Sequence, residues 1–124
     1  MEKDEKKGIL KKKSLAFALR IVKMTKYLQE EKKERVLSSQ VLRSGTAVGA
    51  LIREAEFAQS EADFVNKLSV ALKEANETGY WLTLLKEAEY IDDNSFTSIA
   101  ADCKELIALL VSSINTVKNR LRVK

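Results

Sequence analysis

Ser38-Ser39-Gln40-Val41-Leu42-Arg43-Ser44-Gly45-Thr46 opens a stretch that runs to Leu85 and decides the fold. Val41, Ser44, Val48, Leu51 and Ala55 repeat at alternating steps of three and four, the signature of one buried helix face. After a break at Gln59–Ser60 the same spacing resumes in Phe64, Leu68, Ala71, Ala75, Thr78, Leu82 and Leu85. Two such helices joined by a short turn make an antiparallel hairpin. Facing positions then have residue numbers that sum to about 120. That register sets Arg43 opposite Glu77, with Glu74 one turn away, and Glu54 opposite Lys67. We expect these as half-buried ion pairs that hold the two helices in phase, since an arginine fork can grip carboxylates in paired hydrogen bonds. The competing reading is a ligand site made from Arg43, Glu54 and Glu74. Gly45 and Gly49 lie inside the first helix, where each costs about 1 kcal/mol against alanine. Their small neighbours Ser44, Thr46, Ala47 and Ala50 point to close approach of another helix.

Outward from the hairpin, two more helices complete the pattern. Ser14 is expected to cap a helix over residues 14–31, after a basic, flexible lead-in over residues 1–13. This first helix carries two apolar stripes. Leu15, Ala18, Leu19 and Val22 form one; Phe17, Ile21, Met24 and Leu28 form the other. Two stripes are more than one core needs: either the helix has a wide core face, or one stripe packs on another subunit, and the Phe17, Ile21, Met24 and Leu28 stripe is then assigned to an oligomer interface. The hairpin helices are expected over 38–58, capped by Ser38 or Ser39, and over 60–89, opened by Ser60 with Asp63 in an approximate capping box. A turn at Asp92–Ser95 leads to a fourth helix over 95–121, with Ile99, Cys103, Leu106, Leu110, Ser113, Val117 and Leu121 on one face. Short connections make neighbours antiparallel. The fold class is therefore all-α, an up-down-up-down four-helix bundle in one domain over residues 14–124.

Composition narrows the function. The chain has 124 residues, no proline, no histidine and one cysteine, Cys103. Without histidine the usual general base is missing, and so are the Glu-x-x-His pairs of bundle di-metal sites. No catalytic residue, metal site or cofactor is expected. A lone thiol on a core stripe is expected to be buried and inert, and fits a reducing cytoplasm. No apolar run approaches a membrane span, and no secretory signal is visible. The net charge of +4 is unevenly spread. Residues 1–13 hold six lysines against three acids, and the last seven residues hold four cations and no acid, so the middle is net acidic. In an up-down-up-down bundle both chain ends share one end. Lys11, Lys12, Lys13, Lys118, Arg120, Arg122 and Lys124 would then form a basic cap for RNA or DNA phosphates. Tyr27, Tyr80 and Tyr90 are scattered, so no aromatic ladder accompanies it.

The run from Ser38 to Thr46, continued by Ile52-Arg53-Glu54-Ala55, Ser60-Glu61-Ala62-Asp63-Phe64 and Leu72-Lys73-Glu74-Ala75-Asn76-Glu77, resembles the bacterial 23S ribosomal RNA intervening-sequence proteins. The resemblance covers residues 15–115, and the shared pattern falls on Gln40, Arg43, Ile52, Glu54, Ser60, Glu74 and Glu77. It implies a four-helix bundle that assembles into a homo-oligomer, a pentameric ring. It also implies kinship with the accessory proteins of diversity-generating retroelements, which bind nucleic acid and a reverse transcriptase. The family name marks a genomic location rather than RNA binding. Leu51, Ala47 and Ala55 stand where the family often has Asn, Ser and Gly, so a buried polar contact of relatives gives way to apolar packing. The sequence thus supports a non-catalytic oligomer that binds nucleic acid through its basic end. The alternative is an adaptor that docks a protein partner.

Overall fold

Four helices and three short connections account for the chain. A computed structural model describes residues 2–123, and the side chains of these apart from 2–4, 6 and 123. The helices are α1 (Glu2–Glu30), α2 (Val36–Ala55), α3 (Glu61–Glu87) and α4 (Asp93–Val123), with no strand among the described residues. Cross-helix contacts fix their directions. Gln29 bonds Ser38 while Ser14 lies against Gly49, so α1 and α2 are antiparallel. Arg120 bonds Glu61 while Cys103 bonds the Ala75 carbonyl, so α3 and α4 are antiparallel. Lys13 meets Glu105 and Arg20 meets Asp102, closing α4 against α1.

The first helix starts earlier than expected. Residues 2–13 are not a flexible lead-in but the first turns of α1. Nothing in that stretch breaks a helix except Gly8, where a β-carbon would meet nothing. Leu10 is buried and, with Ile52, Phe64 and Leu68, lines a small apolar gap, which ties the segment to α2 and α3. Ser14 is therefore mid-helix, not a cap. Its hydroxyl donates to the Lys11 carbonyl and its small volume lets α2 approach.

The two stripes of α1 are also exchanged. Phe17, Ile21 and Leu28 are fully buried in the chain's own core, and Met24 packs against it. They are not on an outer surface. Leu15, Leu19 and Val22 are 58%, 53% and 44% exposed and face away from the bundle. The reason is steric: Gly45 of α2 leaves room for the branched side chain of Ile21. Each buried Phe, Ile or Leu contributes about 1.5–3 kcal/mol of hydrophobic stabilisation. On α2 the core face runs through Ile52, 5% exposed, to Ala55, while Leu51 is half-buried.

Helix ends follow local chemistry. α2 begins at Val36, two residues before the expected serine cap. The Glu34 carboxylate accepts from the N–H groups of Val36, Leu37 and Ser38, satisfying donors that a helix leaves open at its start. Ser38 is instead buried, donating to the Glu34 carbonyl. Ser60 caps α3, its Oγ accepting from Asp63 N–H, while the return bond of the expected box reaches Gln59 N–H, one residue before the cap. The helix ends at Glu87, two residues before the left-handed Glu89 (φ 66°), with Tyr90 N–H donating to the Leu85 carbonyl. Asp92 caps α4 by accepting from Ser95 N–H, and that bond holds its carboxyl below the usual range.

Candidate functional site

Two clusters carry the charged residues singled out from the sequence. The first lies on the outer flank of the α2–α3 hairpin. Arg43 Nη1 is 3.1 Å from Glu74 Oε1, and Nη2 bonds Glu77 Oε2. Arg43 Nε reaches Gln40 Oε1 at 3.5 Å. Glu77 Oε2 also accepts from the indole N–H of Trp81 at 2.9 Å. The Trp81 ring meets Tyr80 edge-on, centroids 5.1 Å apart. Lys67 Nζ lies 3.4 Å from Glu54 Oε1. Every one of these charges has a partner on the facing helix. The cluster bridges the two helices at the expected register. Trp81 joins it through a four-residue step from Glu77 along α3.

Beneath the cluster, Thr78 donates to Ser44 at 2.8 Å inside the core. Cys103 donates to the Ala75 carbonyl at 3.3 Å, and burial pushes its thiol up to about 11. At neutral pH it is a protonated, unreactive group. No group of three or more His, Cys, Asp or Glu is placed to hold a metal ion among the described residues. Nor is any described helix long and apolar enough to cross a membrane.

The second cluster is the bundle end where α1 begins, α2 meets α3 and α4 finishes. The topology brings both basic termini here, but the expected cap is only partly free. Lys11 pairs with Glu56 at 3.2 Å, Lys13 with Glu105 at 3.1 Å and Arg120 with Glu61 at 2.9 Å. Acids of the α2–α3 turn and of α4 thus neutralise three of the expected contacts. Lys12, Lys118 and Arg122 are exposed and have no ion pair among the described residues. Lys124 lies outside the described residues. Arg53, in the last turn of α2, is also exposed and unpaired, and the sequence reading missed it because it sits between Glu54 and the hairpin stripe. Phe57 was missed too. It falls just beyond Ala55, where α2 ends earlier than expected, and is 80% exposed.

At the opposite end a groove of about 900 Å³ opens between α1 and the α3–α4 connection. Arg20, Lys23, Lys32 and Lys86 line it with Glu89, Asp92 and Asp93, and Arg20 is already paired with Asp102, so neither sign of charge prevails. At the end formed by the chain termini, Lys12, Lys118, Arg122 and Arg53 remain without an ion pair among the described residues.

The fold and its fixed hairpin define an antiparallel four-helix bundle with one basic end. The profile of the 23S rRNA-intervening sequence protein family matches residues 6–112, and the chain belongs to that family. Among solved structures it is similar to a protein of unknown function from the S23 ribosomal protein family of Bacteroides thetaiotaomicron VPI-5482. The two share 57% identity over 89% of this chain and 98% of that one, with a TM-score of 0.88. No curated protein matches the chain.

Proposed function

We propose that the protein is a non-catalytic, cytoplasmic homo-oligomer that binds RNA or DNA through the basic bundle end. One observation carries the reading: α1 and α4 deliver Lys12, Lys118 and Arg122, all exposed and without an acid partner among the described residues, to the same end of one bundle. Paired lysines contribute little to phosphate binding until they give up their carboxylates. The unpaired ones gain directly, because each phosphate they neutralise releases condensed counterions. Contacts of this kind fix position on the backbone and carry no base code, so binding is weakly sequence-selective.

Assembly multiplies the effect. The outer face of α1 presents Leu15, Leu19 and Val22, and such an apolar row on a long helix suits contact between copies. A closed ring, a pentamer on the analogy of the family, repeats the basic end around one axis and raises the local field. The same row favours a second reading, an adaptor whose assembled face docks a protein partner without nucleic acid.

Titration of a labelled oligonucleotide at about 50 mM salt separates the two. The proposal expects binding by the native chain and its loss in a K12E/K118E/R122E variant of unchanged helicity. Absence of binding at that salt overturns it in favour of the adaptor.

A further inference from the structure

We propose that Phe57 is a stacking platform for an unpaired base, so that the basic end takes single-stranded rather than duplex nucleic acid; this rests on the nucleic-acid reading above. Phe57 is, at 80%, the most exposed large apolar side chain among the described residues. The turn that carries it does not need its ring. The N–H groups of Glu56, Phe57 and Ala58 donate to the carbonyls of Arg53, Glu54 and Ala55, so the main chain alone sets the geometry. The core below is closed without it by Ile52, Ala55 and Leu68. Its ring makes no aromatic or cation–π contact among the described residues, whereas Phe64 lies under Lys7 and Phe96 under Lys86.

The acids nearest it in the chain are held by partners. Glu54 pairs with Lys67, Glu56 with Lys11 and Glu61 with Arg120, while Asp63 accepts from Gln59 N–H; Arg53, four residues back, is exposed and has no ion pair among the described residues. A ring free on the surface, with Arg53 close along the chain at the same end of the bundle as Lys118 and Arg122, combines the two elements of single-strand binding. Cations hold the backbone, and a π-face takes the base. Duplex bases are already stacked and offer that face only at a helix end. Tyr80 and Tyr27, the other exposed aromatics, do not compete: Tyr80 packs on Trp81 in mid-helix, and Tyr27 is near the far end of α1.

The test compares labelled single strands of about 15 nucleotides, DNA and RNA, with the matching duplex, using native protein, F57A and F57Y. The native chain should prefer the single strand. F57A should lose about tenfold in single-strand affinity, keep its duplex affinity and keep its salt dependence, since phosphate contacts are untouched. F57Y should restore the preference. An equal effect on both substrates, or none, overturns the stacking role while leaving phosphate binding in place. So does an F57A protein that changes assembly mass but not single-strand affinity, which would put the ring in a protein contact. No binding of either substrate by the native chain overturns both readings.

Discussion

Gly45 lies so close to Ile21 that a β-carbon built on it falls 2.9 Å from Ile21 Cγ1 and 3.0 Å from Cγ2. These are atoms at the branch of a fully buried side chain, not at a free end, so they have nowhere to go. G45A should therefore destabilise. Overpacking costs about 1–3 kcal/mol, against about 1 kcal/mol gained in helix propensity. At Gly49 the same β-carbon meets Ser14 no nearer than 3.4 Å. G49A should be neutral or stabilising by up to about 1 kcal/mol. Urea melts of the two variants check the pair, and a common sign for both would contradict the packing account.

Arg43 and Trp81 share the Glu77 carboxylate, so the pair reports on hairpin register through fluorescence. E77A should red-shift Trp81 emission as the indole loses its acceptor. The R43A/E77A double-mutant cycle should give a coupling below about 1 kcal/mol, because half-exposed pairs are screened and give little net stability. A coupling of several kcal/mol would mean the cluster is buried by a neighbouring copy.

Burial raises the Cys103 thiol to about 11 from an ordinary 9.0. Between those values the unfolded chain loses the proton and the folded chain keeps it. Stability contributed by the neutral thiol is thus full at neutral pH and falls as pH rises from 9 toward 11. C103A should flatten that part of the pH–stability curve relative to the native chain. Native-state alkylation at neutral pH should be slow and should track unfolding; rapid alkylation would show an exposed thiolate.

The outer row of α1 makes a separate prediction. An L15Q/L19Q/V22T variant should keep its helicity and thermal stability while its assembly mass falls. F17A, by contrast, should lose about 3–5 kcal/mol, as large truncations in a core do. A native chain that is monomeric would remove the reason for the row and the multiplication of charge with it.

The hairpin was readable from the sequence because one constraint set it. Once the turn at Gln59–Ser60 is placed, Arg43, Glu74 and Glu77 can only meet each other. The stripe assignment on α1 was not readable. Phe17 and Leu19 are equally apolar, and the choice between their faces is made by a void on another helix, at Gly45. The start of α2 was hidden for a local reason: Glu34 reaches forward to cap from outside the helix, in place of a serine at its first position. The basic end was half readable. Topology gathers the termini, but the pairing of Lys11, Lys13 and Arg120 depends on how far along the bundle each helix extends, which the early start of α1 changed. Phe57 was assigned to a helix because nothing in Glu56-Phe57-Ala58 signals a turn.

The central claim is that exposed, unpaired cations at one bundle end bind phosphates. The dependence of binding affinity on salt tests it most directly. The account predicts a steep fall in affinity as salt rises, with log affinity linear in log salt, and a slope made shallower by about 0.7–0.9 for each of Lys12, Lys118 and Arg122 removed from contact with phosphate. A native affinity insensitive to salt, or a slope unchanged in the triple variant, would contradict it.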